Sequence, residues 1–236
     1  MRDIFLADAH LRAPDDPPYR RLLAFLAEQR GQLRTLYLLG DIFDFWLGFR
    51  HTVYAPYVPL LAALRELRRA GTDLVYVEGN HDFHMGPYFT AELGCRVLPD
   101  GGEVEIDGVR VYLAHGDLVN GADRGYRRLR RLLRSSLVRN LAQVVHPDWT
   151  WGIYRWLEDR SSAGKPAKIE RRLPLELLRL HAAGHFATGC QAVVTGHFHI
   201  PHHETTAAGT LLSLGGWLEH SAYAVWEDGH FTPAVY

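Results

Sequence analysis

In the first half of the chain, short apolar runs alternate with stretches whose apolar residues recur at helical spacing, the pattern of an α/β domain. Residues 3–7, 35–39 and 74–78 are apolar runs of strand length. Leu22, Leu23, Phe25 and Leu26 put a helical stripe on residues 19–29. A second helix is predicted over residues 58–70, with Gly71 as its stop. Residues 102–106 and 109–114 flank Asp107-Gly108, which predicts a hairpin. The pattern then changes. From about residue 123 to 183 the chain is rich in Arg, Leu and Trp at helical spacing, and Pro147, Gly164, Pro166 and Pro174 divide it into about three helices. Strand character returns at 191–195, then at 210–214, 222–226 and near Ala234. The expected organisation is one domain over residues 1–236, carrying a helical insertion, or cap, over about 123–183.

Composition narrows this picture. A chain of 236 residues, 47% hydrophobic and 22% charged, can bury a sizeable core and is neither disordered, collagen-like nor a coiled coil. A formal net charge of -1 gives no electrostatic reason to expect a nucleic-acid partner, and no protein partner is predicted. The longest apolar stretch, residues 53–64, is broken by Pro56 and Pro59, short of the roughly 20 residues of a membrane-spanning helix. Asp3 and Asp8 interrupt what a secretory signal needs to be apolar, so a cytoplasmic location is expected. Cys95 and Cys190 are too few for a disulfide framework and are read as thiols in a reducing compartment; a single disulfide is the alternative.

The candidate chemistry lies where the apolar runs end. Five polar clusters follow strands: Asp8-Ala9-His10, Gly40-Asp41-Ile42-Phe43-Asp44, Gly79-Asn80-His81-Asp82, His115-Gly116-Asp117 and Gly196-His197-Phe198-His199. One such cluster is ordinary turn chemistry. Repeated at the same end of successive strands, they mark the edge where open α/β sheets bind ligands. The donors are Asp, Asn and His without cysteine, which suits Mn, Fe or Zn and not an iron–sulfur cluster. Asp8, His10, Asp41, Asn80, His115, His197 and His199 are too many for one structural zinc, but fit two divalent ions sharing a carboxylate.

The order D-x-H, G-D-x-x-D, G-N-H-D, H-G-D and G-H-x-H resembles the calcineurin-like metallophosphoesterases along nearly the whole chain. The resemblance implies a four-layer α-β-β-α sandwich with a dinuclear site at the strand ends. It implies one ion held by Asp8, His10, Asp41 and His199, and another by Asp41, Asn80, His115 and His197. Within that superfamily the chain is similar to the UDP-2,3-diacylglucosamine diphosphatases of lipid A biosynthesis. The similarity rests on residues 5–11, on Gly40-Asp41 through Trp46-Leu47-Gly48, on His115-Gly116-Asp117 followed by Asp123 and Gly125-Tyr126, and on the helical insertion before the G-H-x-H motif. It implies two divalent ions, Mn2+ in the first instance. The reaction it implies is hydrolysis of the phosphoanhydride of UDP-2,3-diacylglucosamine to UMP and 2,3-diacylglucosamine 1-phosphate. Asn80, His81, Asp123, Tyr126, Ser161, Lys165, Lys168 and His197 are then the expected substrate contacts. The chain departs from that family at His81, where arginine is common. Histidine there is the wider superfamily's residue, a proton donor or transition-state stabiliser, and Asp82 is expected to orient it by a hydrogen bond.

The cap adds a surface. Arg124, Arg127, Arg128, Arg130, Arg131, Arg134 and Arg139 interleave with leucines, and Trp149, Trp151 and Trp156 follow. Such a helix suits either ordinary solvation or an anionic membrane surface, here the cytoplasmic face of the inner membrane. Two other functions compete with the lipid reading. One is a metallophosphoesterase acting on a soluble nucleotide or phosphodiester. The other is a non-catalytic scaffold of the same fold.

Overall fold

The computed structural model describes residues 1–162 and 172–236, apart from the side chains of residues 158, 159, 161 and 162. The chain runs β1 (Arg2–Leu6), α1 (Pro17–Gln29), β2 (Leu33–Leu38), β3 (Trp46–Leu47), α2 (Val58–Arg69), β4 (Asp73–Val77), β5 (Asp82–Phe83), β6 (Arg96–Leu98), β7 (Gly102–Ile106) and β8 (Val109–Ala114). Then come α3 (Arg124–Leu133), α4 (Ser136–Ala142), α5 (Pro147–Ser162), α6 (Leu175–Ala187), β9 (Ala192–Thr195), β10 (His202–Thr206), β11 (Gly209–Ser213), α7 (Trp217–His220), β12 (Ala222–Glu227) and β13 (His230–Val235).

Alternation along the strands builds the layers. Side chains of a strand point to opposite faces in turn. In β1, Ile4 and Leu6 pack with Leu22, Phe25 and Leu26 of α1 and Leu60, Leu64 and Leu67 of α2. Phe5 and Ala7 point the other way, onto Val111, Leu113, Val194 and Leu212 of a second sheet. β2 and β4 divide likewise, Leu36 and Tyr76 toward the helices, Tyr37 and Val75 toward the other sheet. The first sheet has the order β13-β12-β1-β2-β4-β6, the second β10-β11-β9-β8-β7. The outer face of the second sheet, at Val193 and Leu211, is covered by Leu178 and Ala182 of α6. The layers are therefore helix, sheet, sheet, helix, as expected from the sequence.

β1, β2, β4 and β6 run parallel, as do β8, β9 and β11. Parallel strands bring equivalent ends to one edge, and here the two sheets share it. The His197 amide donates to Asp8 Oδ2 at 2.8 Å across the sheets, and the Asp8 amide donates to the Gly40 carbonyl at 3.1 Å.

Several elements differ from the sequence reading, the short β3, β5, β6 and α7 among them. The helical stretch holds four described helices where about three were expected, because Ser135 caps a separate α4 by accepting from the Val138 amide. α6, read as part of the cap up to residue 183, instead buries Leu178 and Ala182 on the second sheet. The helices that stand over the strand-end edge are α3, α4 and α5. β10 was not expected: its sequence, HHETT, is half-exposed and lacks the apolar alternation of a covered strand. Both cysteines are buried and unpaired.

Candidate metal centre

The five clusters converge at that edge. Asp8, His10 and His199 place donor atoms within 4.8 Å of one another, as do Asp41, His115 and His197, and His10, Asp41 and His81. Among the described residues these are the only such groupings. Asp41 Oδ2 lies 3.7 Å from His10 Nε2 and 3.4 Å from His115 Nε2, so one carboxylate oxygen faces both halves of the site. Asn80 Oδ1 is 3.1 Å from His115 Nε2, and His197 Nδ1 is 3.2 Å from it. His199 Nε2 is 3.5 Å from Asp8 Oδ1.

The local backbone is bent to this purpose. Asp8, His10, Asp41, His197 and His199 all have positive φ, between 42° and 72°. Left-handed conformations are uncommon outside glycine, and their clustering marks a functional constraint. Gly79 is required by proximity: a Cβ there would lie well inside contact distance of the Asp41 amide and carboxylate.

The donor set fits cations. Asp8 Oδ1 is buried and has no hydrogen-bond donor, a costly state unless a positive partner faces it. Burial raises the Asp8 carboxyl to about 6, against the pull of His115 and His199. Burial also opposes charge on Asp41, yet His115 and His10 hold its carboxyl well below the usual range. His10 is lowered to about 3 and His197 to about 4, both chiefly by burial, which favours the neutral, ligating imidazole. Burial disfavours the charged form of His115 too, but Asp41 and then Asp8 raise it to about 10. Buried carboxylates and imidazoles thus crowd one space with few donors among them. His115 Nδ1 donates to the Leu39 carbonyl at 2.9 Å, so Nε2 is the nitrogen that faces the site.

One expected contact is not made. Asp82 does not reach the His81 ring. Its carboxylate accepts from the amides of Asp41, Ile42, Phe43 and Gly79 at 2.7–3.2 Å and from the Tyr76 hydroxyl. A buried carboxylate so saturated is a clamp on the Asp41 and Gly79 loops. Burial and the Asp41 charge raise it to about 7, despite those donors. The His81 ring is instead oriented by the Asp44 carbonyl, 3.0 Å from Nδ1, with the Tyr154 hydroxyl of α5 at 3.3 Å.

The expected substrate contacts divide. A cavity of about 290 Å³ opens from Asn80 and His197 and is lined by Asp123, Tyr126, Asp117, Val119, Leu177 and Phe198. Asp123 caps α3 by accepting from the Tyr126 amide at 2.9 Å, and the Tyr126 hydroxyl donates to Asp117 at 2.5 Å. Lys165 and Lys168 lie outside the described residues. Ser161 falls in α5, with its side chain outside them. Sequence reasoning did not name Tyr154 or Glu219, and it named Asp44 and Arg134 without these contacts. Arg134 donates to Glu78 at 3.0 Å, to the Gly79 carbonyl at 2.6 Å and to the Pro99 carbonyl, tying α3 to the Asn80 loop. No spacing marks these contacts, because each pairs groups from separate elements of the chain.

The sequence profile of the calcineurin-like phosphoesterases matches residues 1–201. The chain belongs to the calcineurin-like phosphoesterases. That family binds divalent metal ions, and the Asp and His clusters here could hold such ions. Similar proteins include the UDP-2,3-diacylglucosamine hydrolase of Porphyromonas gingivalis, 32% identical over 94% of this chain and 93% of that protein. The UDP-2,3-diacylglucosamine hydrolase of Ectopseudomonas mendocina is 32% identical over 96% and 94%. An archaeal phosphodiesterase of known structure superposes over the full length of both chains with a TM-score of 0.50 at 13% identity, a likeness of fold. This phosphoesterase is thus an enzyme of a hydrolase family, related over most of its length to hydrolases of one nucleotide-linked glycolipid.

Proposed function

We propose that this phosphoesterase hydrolyses the phosphoanhydride of UDP-2,3-diacylglucosamine, releasing UMP and 2,3-diacylglucosamine 1-phosphate in lipid A biosynthesis. The observation that carries the reading is the cavity joining Asn80 and His197 to Asp123 and Tyr126, with Val119, Leu177 and Phe198 as apolar walls. A soluble phosphodiester has no need of that apolar extension. Hydrolases named for this substrate match nearly the whole chain, which supports the same assignment.

In this reading Asp8, His10, Asp41 and His199 hold one divalent ion, and Asp41, Asn80, His115 and His197 a second, Mn2+ being our choice for both. Such ions, when bound, acidify water and neutralise charge on phosphoryl oxygens. The chain's own groups orient and discharge the substrate. With Nδ1 directed at the Asp44 carbonyl, His81 presents Nε2, which donates to a phosphoryl oxygen when the ring is an imidazolium. Asp82 keeps the loops of Asp41 and Asn80 in register. Asp123 and Tyr126 border the sugar, and Ser161, Lys165 and Lys168 are further substrate contacts.

We also place the enzyme in the cytoplasm, on the membrane face where such a substrate resides. Among the described residues no helix is long and apolar enough to cross a membrane. α3 to α5 expose Leu132, Leu137, Leu141, Trp149 and Trp156 beside Arg128 and Arg131. A groove of about 1300 Å³ along α3 and α4 is lined by Arg50, Arg127, Arg131 and Arg139, with Glu78 and Asp100 also on its wall. Apolar and basic groups on one face suit an anionic bilayer. Sedimentation with phosphatidylglycerol vesicles, but not with phosphatidylcholine vesicles, is the expected result.

The deciding experiment compares acylated and deacylated substrate. Each buried methylene contributes about 0.8 kcal/mol, so loss of both acyl chains should lower kcat/KM by orders of magnitude. Bis(p-nitrophenyl) phosphate should still be cleaved slowly. Equal efficiency on the deacylated sugar nucleotide makes the chain a general nucleotide phosphoesterase. Failure to cleave any phosphodiester makes it a scaffold.

A further inference from the structure

α7 is four residues long, yet it is bolted to the strand that carries Asp8. The Trp217 amide donates to the Ala7 carbonyl and the Leu218 amide to the Asp8 carbonyl, each at 3.1 Å. The Trp217 ring is fully buried, and its Nε1 donates to the Pro18 carbonyl at 3.0 Å. This bracket delivers the Glu219 carboxylate to His199, with both oxygens 2.8 Å from Nδ1. Gly216 makes the approach possible, since a Cβ there would sit 2.8 Å from His199 Nδ1 and closer still to Glu219. A carboxylate only accepts, so Nδ1 carries the proton and Nε2 keeps its lone pair toward Asp8 Oδ1.

The other half of the site is built differently. His115 rests its Nδ1 on a backbone carbonyl, that of Leu39. His197 directs Nδ1 at His115. A carboxylate behind a ligating imidazole raises its basicity and fixes its orientation more strongly than a neutral carbonyl does. We infer that Glu219 is a positioning residue that makes the Asp8–His10–His199 half the tighter of two unequal metal sites. The inference rests on the dinuclear reading of the centre.

Metal binding itself is the test. Wild-type enzyme, Glu219→Gln and Glu219→Ala are equilibrated at graded free Mn2+, and bound ions per chain are counted by elemental analysis. Manganese electron paramagnetic resonance reports whether the ions are paired. Wild type should bind two ions in two separated steps. In Glu219→Ala the tighter step should weaken about 10–100-fold, bringing the two steps together, while the weaker step and the metal-free melting temperature stay unchanged. Glu219→Gln, which keeps the shape but not the charge, should fall between. Unchanged steps in both variants overturn the inference alone. Equal weakening of both steps, or a lowered metal-free melting temperature in both variants, overturns it in favour of a general structural role. A wild-type chain that binds fewer than two ions overturns the dinuclear reading and this inference with it.

Discussion

At the scale of single residues, the centre is a set of acceptors whose orientation is fixed from behind. Among the described residues, Asp41 is the carboxylate that faces both His10 and His115. Asp41→Ala should therefore remove hydrolysis of bis(p-nitrophenyl) phosphate more completely than His199→Ala, which leaves the second half intact. Similar residual rates in the two variants would contradict the bridging position. His81 occupies a different place. Its ring is held through Nδ1 by Asp44 and Tyr154, on elements far apart in sequence. His81→Ala should lower kcat by about 10² to 10⁴-fold with both ions retained. A variant that loses an ion instead would make His81 a ligand, consistent with its closeness to His10 and Asp41.

At the scale of elements, α3 is joined to the loop of Gly79 and Asn80 by an ion pair that burial makes sensitive. The side chains of Arg134 and Glu78 are 9% and 5% exposed. Burial raises the Glu78 carboxyl and lowers the Arg134 guanidinium, each against the attraction of the other. Removing one partner of a buried pair typically costs about 3–5 kcal/mol, because the other charge is left unpaired. Arg134→Met should show a loss of that order in urea unfolding. Glu78→Gln combined with Arg134→Met should recover a large part of it. Additive losses in the double variant would mean that the pair is not coupled and that Arg134 acts only through the Gly79 and Pro99 carbonyls.

For the whole molecule, the two sheets meet at the site, so ions bound there tie the sheets together. Asp8, His10 and Asp41 come from the first sheet, His115, His197 and His199 from the second. A ligand that binds only the folded state stabilises it, by about 2.7 kcal/mol at 100 times its dissociation constant. Saturating Mn2+ should raise the melting temperature and EDTA should reverse the rise along with activity. A melting temperature indifferent to both would show that the site does not hold ions across the sheets.

Much of this was legible before any coordinates. Strand periodicity and the Asp107-Gly108 turn located the hairpin of β7 and β8, whose observed bounds coincide with the expected ones. The convergence of the polar clusters was legible because parallel strands place the residues that follow them at one edge, whatever the loops do. Local rules could not reach contacts made between loops. Asp82 looked like a partner for its neighbour His81, but tertiary packing turned it onto four backbone amides and Tyr76. Glu219 follows strands with no motif of its own, and Tyr154 sits on a helix read only as cap. Helical spacing also could not separate α6, whose apolar residues face the second sheet, from α3 to α5, which stand over the site. Period and residue type are properties of a segment, and the sequence alone determined them. Which face a helix meets, and which donors a carboxylate finds, depends on residues from other elements brought near by the sheets, and only the tertiary structure decided those.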